Sequence, residues 1–521
     1  MSTVPRNNTD EGSSPLSQIV AGIERAYRSG DLARTAEAIE NQLLAAWFGI
    51  HPSRFGEILS SALRDDRVQS PVLTIIFSML FGASSGEEGE EAVRAELPGS
   101  LSEEGSKPTD ASLRTVARMF ELRLEGRPVE ALELAEELER RYAAQRSVFD
   151  GTRGWRLFSA VQHGLTAMLA GEFAAALVSF TRARMHIEVP ALAFLSRDAC
   201  VKAALIEALY GDTEKASCLL DEADRVPRTS SWAEVEIDAN YRVAAAMCRS
   251  SSPEQMVRAL ESVPLRELGE TWPFHLVALQ RALLANGDPG EALRRVNTFE
   301  QLPLPSVEGE GYSGSALQLS AALNALARGD LSEARARLDR ADGSIVATKV
   351  LWALFELASG RPREALRLAS MLRDETQDLR RLDLWRLATL AGAYLALGSD
   401  AECAAVIEHV LRLPRIPSAI ELGFFPADVR EFAEARYPEW PRRGEGSAPA
   451  FRPFSASGEV LTEREFEVLR LLSRGLSREQ IASEQFIALN TLKGHLRSLY
   501  RKLNVGSRAA AVLEGERRGL L

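Results

Sequence analysis

At 521 residues the chain is too long for one hydrophobic core, so several domains or an extended repeat are expected. A hydrophobic content of 45% and a charged content of 26% are those of an ordinary globular protein, and the most apolar run, residues 72–81, is about half a membrane span, which excludes a spanning helix. The net charge of −11 is unevenly placed: residues 459–521 hold 11 Lys or Arg against 8 Glu, so the remainder carries −14 and would be repelled by nucleic acid, leaving the C-terminal tip as the only favourable place for such contact.

Residues 1–15 are polar, lack the apolar core of a signal peptide and are expected to be disordered, so a cytoplasmic location follows. Arg outnumbers Lys by 56 to 6, as in GC-rich bacterial coding. Residues 16–82 read as a first helical segment, interrupted near His51-Pro52 and ended at Gly82. Residues 83–110 change character, with Glu87, Glu88, Glu90 and Glu91 in a run, and read as a solvated acidic linker. The triplet Gly105-Ser106-Lys107 within it is no phosphate loop: the spacing is wrong, the Lys-Ser order is reversed and no strand precedes it.

From 111 to 440 the chain repeats itself. A Gly followed five residues later by a small residue recurs at Gly126/Ala131, Gly171/Ala176, Gly211/Ala216, Gly287/Ala292, Gly329/Ala334, Gly360/Ala365 and Gly398/Cys403, with Gly30/Thr35 an outlying copy. The intervals are 45, 40, 76, 42, 31 and 38, the 76 spanning a degenerate copy near Ser251-Ser252-Pro253. Each Gly turns the chain between two apolar helices and each small residue lets them touch, so the unit is a helical hairpin that must stack on its neighbours. The array resembles a tetratricopeptide-type solenoid; a non-repeating helical bundle is the competing reading. Trp155, Trp232, Trp272, Trp352 and Trp385 fall in or near the first helices, suited either to ligand contact or to packing between repeats. Cys200, Cys218, Cys248 and Cys403 have no CxxC spacing and read as small buried residues, and the six His are dispersed without a metal motif.

Residues 441–458 are a Pro- and Gly-bearing tether, and 459–521 read as four short helices. Thr462 with Glu465, and Ser477 with Gln480, are capping boxes, Gly475 separates the two helices, and Phe486 and Ile487 are placed in the turn, plugging the space between crossing helices. Residues 490–503 put Leu492, Leu496, Leu499 and Leu503 on one stripe and Lys493, Arg497 and Arg501 in a row on another, with Gly494 beside them. Between Gln485 and Leu513 there is no Asp or Glu. A short helix, a turn and a cationic helix with one small residue in its row is what reading a major groove requires.

The residues Leu461-Thr462-Glu463-Arg464-Glu465, Gly475-Leu476-Ser477, Thr491-Leu492-Lys493, His495-Leu496 and Lys502-Leu503-Asn504-Val505 resemble the LuxR-type helix-turn-helix over the whole block. The resemblance implies base reading by Lys493, Gly494 and Arg497, backbone contacts by Thr491, His495, Arg501 and Lys502, and pairing through the last helix, where Ala509, Val512 and Leu513 leave an apolar edge. Gln485 and Ala488 depart from the family pattern, the latter removing a Ser cap that Asn490 would have to replace. The uneven repeats resemble the sensor region of large LuxR-type activators of the maltose-regulon type, whose ATPase module has no counterpart here.

The expected architecture is therefore all-α: a tetratricopeptide-like solenoid followed by a C-terminal four-helix LuxR-type helix-turn-helix domain. No phosphate loop, nucleophile elbow or metal spacing is present, so no enzyme, cofactor or metal is expected. The expected function is sequence-specific transcription regulation, with double-stranded DNA, a second copy of the chain on DNA, a small molecule or protein at the array, and RNA polymerase as partners, and no membrane. The alternative is a helical-repeat scaffold in which DNA binding is secondary.

Overall fold

The computed structural model describes residues 14–81, 108–144, 154–186, 189–418, 421–442, 461–503, 505–517 and 521, so most of the acidic segment 83–110 and of the tether 441–458 lies outside the described residues. All regular structure among the described residues is helical, and no helix is long and apolar enough to cross a membrane. The chain divides into two compact units, one comprising residues 1–206, 216–244 and 264–271, the other 207–215, 245–263 and 272–521.

In the first unit the helices Pro108–Leu124, Pro128–Ala144, Trp155–Ala170 and Phe173–Arg184 pack each on the next. Trp47, Phe48, Phe120 and Phe158 form one aromatic cluster with ring centroids 5.3–6.4 Å apart, and Trp232 joins it at 5.4 Å from Phe48 while its Nε1 donates to the Trp47 carbonyl at 2.8 Å. The buried Arg123 is fully engaged, forked onto Glu270 at 2.9 Å and bonded to Gln162 and Thr166.

In the second unit the helices Trp272–Ala285, Gly311–Arg328, Val346–Ala358 and Arg380–Ala396 are each followed by a shorter partner (Pro289–Glu300, Leu331–Leu338, Pro362–Met371 and Asp400–Leu411), and neighbouring hairpins pack on each other along the chain. The turn glycine is needed where it stands: Gly329 has φ 75° and ends its helix in the left-handed region, where a Cβ is disfavoured. Behind it Asp330 caps the next helix by accepting from Glu333 N at 3.1 Å, and Asp31 and Asp288 do the same after Gly30 and Gly287. This Gly-Asp pair is a second sequence signal of the repeat. The small residue five positions after each glycine is fully buried in every copy: Thr35, Ala131, Ala176, Ala216, Ala292, Ala334, Ala365 and Cys403. The degenerate copy also exists, as helices Glu234–Arg249 and Pro253–Glu261 joined through a Ser252 cap. Trp440 closes the C-terminal end of the hairpin packing, edge-on to Phe425.

Two cysteines match the buried expectation, Cys200 and Cys403, and burial pushes both thiols up to about 12. Cys218 is exposed and Cys248 half-buried instead. The buried positions of the Cys218 helix are Ala216, Leu220 and Ala223, and Cys218 stands on the opposite side of the turn.

Candidate nucleic-acid interface

The C-terminal block is built from local chemistry. Thr462 accepts from Glu465 N at 3.3 Å while its own N–H donates to the Glu465 carboxylate at 2.7 Å, and this reciprocal cap opens the helix Glu463–Ser473. Ser477 and Gln480 repeat it for Arg478–Glu484, after Gly475 turns the chain at φ 87°. The third helix, Leu489–Leu503, lays Leu492, Leu496, Leu499 and Leu503 into a core shared with Leu469, Ile481 and Ala511. Four leucines at this spacing fix the helix's rotation, and hence what faces outward.

The turn before it differs from the expected plug. Ile487 does pack on the core, and its N–H donates to the Ala482 carbonyl at 2.9 Å. Phe486 is 96% exposed, at φ 52°. The bond from Ile487 back to Ala482 is the outer bond of a Schellman turn, which requires the residue before it to be left-handed and swings that side chain into solvent. Holding a Phe there costs about 1–2 kcal/mol relative to an ordinary helical backbone. Ala488 occupies the cap position of the third helix, and Asn490 lies inside its first turn with no hydrogen bond from its side chain among the described residues. Gln485 is held by Arg464, which donates to its side-chain oxygen at 2.8 Å.

Thr491, Lys493, Gly494, Arg497 and Arg501 are exposed on the third helix and His495 is half-buried. Lys493 and Arg497 make no ion pair or hydrogen bond among the described residues, and a Cβ added at Gly494 would meet nothing within 4 Å. Two other cations of the block are spent on the fold. Lys502 donates to the buried Glu465 carboxylate at 2.7 Å, with its own side chain only 13% exposed. Burial opposes the Glu465 charge, but hydrogen bonds from Lys502, Ser498 and the Thr462 amide outweigh it and hold the carboxyl below its usual range. Arg508 donates to the Leu476 and Leu472 carbonyls at 2.8 and 2.7 Å, closing the end of the first helix. On the last helix, Arg508–Arg517, Ala509 and Leu513 are exposed one turn apart, whereas Val512 turns toward its own core.

The block also touches the hairpins of its own unit. Phe466 lies under the Arg361 guanidinium at 5.0 Å, and the last helix packs on Leu331–Leu338. Arg361 donates to Glu356 at 2.5 Å, yet burial dominates and pushes the Glu356 carboxyl up to about 7, its Oε2 finding no partner among the described residues. A carboxyl raised this way stabilises the fold fully below its unfolded value near 4.5 and loses that contribution as pH rises through about 7. Glu356→Gln is therefore expected to melt progressively higher than the parent as pH rises from about 4.5 to 7.5, gaining up to a few kcal/mol. Parallel melting curves across this range would refute that account of Glu356.

Residues 459–514 match the family of bacterial regulatory proteins of the LuxR type, and this block is a LuxR-family helix-turn-helix domain. It is 56% identical over 61 residues to the nitrate/nitrite response regulator protein NarP of Escherichia coli (strain K12), a stretch that is 12% of this chain and 26% of that protein. It is 48% identical over 56 residues to the HTH-type transcriptional regulator MalT of Vibrio campbellii, covering 11% of this chain and 6% of MalT. It is 37% identical over 65 residues to the HTH-type transcriptional regulator AlkS of Pseudomonas putida, covering 12% and 7%. The matched segment thus spans about a quarter or less of these relatives.

Proposed function

We propose that this chain is a sequence-specific DNA-binding transcriptional regulator of the cytoplasm, not an enzyme, in which the helix Leu489–Leu503 enters the major groove and the helical hairpins sense a small molecule or a protein. One observation carries the reading: Lys493, Gly494 and Arg497 form an exposed row without intramolecular partners among the described residues, inside a segment that matches LuxR-type regulators. Lys493 and Arg497 would read base edges, with Thr491, His495 and Arg501 against the sugar-phosphate backbone. Lys502, expected from its position to contact the backbone, already holds Glu465, so its part in DNA binding is to support the third helix. Two copies would pair through Ala509 and Leu513, and RNA polymerase would be approached from DNA.

Genome-wide mapping of bound sites, followed by band-shift assays on the mapped sequence, tests the reading. Gly494→Ala separates fold from function within it. Helix propensity favours Ala over Gly by about 0.5–1 kcal/mol, and the open space at Gly494 imposes no clash, so the variant is expected to melt at or above the parent temperature. Its operator affinity is expected to fall, because the added methyl keeps the helix backbone off the groove floor. Unchanged affinity would remove Gly494 from the interface.

A further inference from the structure

Two arginines in the second unit face one cavity, and neither is bonded to a carboxylate among the described residues. Arg281, on Trp272–Ala285, is 7% exposed. Its Nη1 donates to the Leu209 carbonyl and its guanidinium stacks at 4.5 Å on Tyr210 and 5.1 Å on Trp385, but its Nε bonds to nothing among the described residues. Arg381, in the first turn of Arg380–Ala396, also has a buried Nε without a partner, and burial together with the Arg281 charge pulls its guanidinium down to about 10. The nearby carboxylates are already taken. Glu421 accepts from Arg380 at 3.2 Å, Arg415 at 3.0 Å and the Ser418 amide at 2.8 Å, and Asp212 lies 3.3 Å from Arg415 and 3.6 Å from Arg380.

Both arginines line a cavity of about 160 Å³ whose other walls include Met247, Met256, Leu284, Phe424 and Glu421, the last already bonded to Arg380, Arg415 and the Ser418 amide. A smaller one of about 20 Å³ shares Arg281 and Leu323 with it, and three more of its lining side chains carry buried polar atoms without a partner among the described residues: Trp385 Nε1, Ser320 Oγ and the acceptor Gln280 Oε1. A buried charge without a counter-charge costs several kcal/mol, and folded proteins seldom keep even one. Here two cations line the larger cavity, and the smaller one beside it adds the Trp385 indole N–H next to Arg281.

We propose that this cavity is a binding site for a small organic anion, with a carboxylate or phosphate head on Arg281 and Arg381 and an apolar body against Met247, Met256, Leu284 and Phe424. The volume matches the cavities of about 150 Å³ that accept a benzene ring. The proposal rests on the reading of the hairpins as the sensing part and supplies the ligand class for it.

The test uses the full chain without DNA, titrated by calorimetry and thermal unfolding with benzoate, hexanoate, phenyl phosphate, neutral benzyl alcohol and inorganic phosphate. At least one organic anion is expected to bind once per chain and raise the melting temperature by several degrees, while benzyl alcohol and inorganic phosphate do not. The carboxylates against phenyl phosphate identify the head. Arg381→Met and Arg281→Met are each expected to weaken that binding about tenfold or more. Arg381→Met should also melt no lower than the parent without ligand, because it deletes a half-buried charge that no carboxylate bonds among the described residues. Three results overturn the site: no organic anion binds; benzyl alcohol or inorganic phosphate binds as well; Arg381→Met melts lower than the parent or retains full binding. Because none of these measurements involves DNA, their failure leaves the DNA-binding reading standing, and a failed operator assay leaves this site standing.

Discussion

Lys493→Ala and Arg497→Ala are each expected to lower affinity for the mapped operator by about 5- to 150-fold, the 1–3 kcal/mol that a charged side chain on a guanine edge contributes. The two are one turn apart on the exposed side of Leu489–Leu503, opposite the leucine stripe that anchors it. Neither is held by another side chain among the described residues, so neither loss is expected to disturb the fold, and the variants are expected to melt with the parent. The loss should also relax preference at one base position rather than weaken all sequences alike, which distinguishes base reading from phosphate contact. Equal operator affinity in band-shift assays, with both variants folded, would end the assignment.

The second large effect concerns pairing. One recognition helix with the few cations not spent on the fold is little for specific binding at physiological salt, and two on a dyad would double the contacts. Leu513 is 68% exposed, one turn from the exposed Ala509, and touches the core less than Val512 does. Leu513→Asp is therefore expected to leave the melting temperature unchanged and to cut affinity for a two-half-site operator by about 100-fold or more, the gain ordinarily supplied by tethering a second site. The salt dependence should become shallower at the same time, since fewer phosphates are neutralised. Sedimentation on operator DNA counts the protomers directly; one per site at saturation, with no loss on Leu513→Asp, would eliminate the dimer.

Much of the effector block was legible because its determinants are local. A capping box, a turn glycine and a leucine stripe each act within four residues, and the structure places the third helix within one residue of the expected start. The hairpin turns were legible for the same reason. What could not be read is what depends on the partner across space. Lys502 and Arg508 look like free cations in a row of cations until Glu465 and the end of the first helix are brought to them. Phe486 looks like core because it is apolar; the left-handed turn that exposes it is a backbone decision. Arg281 is the extreme case. Its helix is buried on nearly every side, so no amphipathic pattern separates it from a surface arginine, and only packing reveals that it points inward.

Arg361 serves two masters, with Glu356 on one side and the Phe466 ring of the effector block on the other. A cation over an aromatic ring is worth about 0.5–2 kcal/mol, so a latch of about 1 kcal/mol resting on that contact alone would stand open in about one molecule in six. Such a latch is a rheostat. A tenfold change in the ratio of open to closed latches would need only about 1.4 kcal/mol of differential affinity from a ligand of the hairpins and would carry the open fraction from about one in six to about two in three, so the output would track ligand concentration gradually instead of tripping at a threshold.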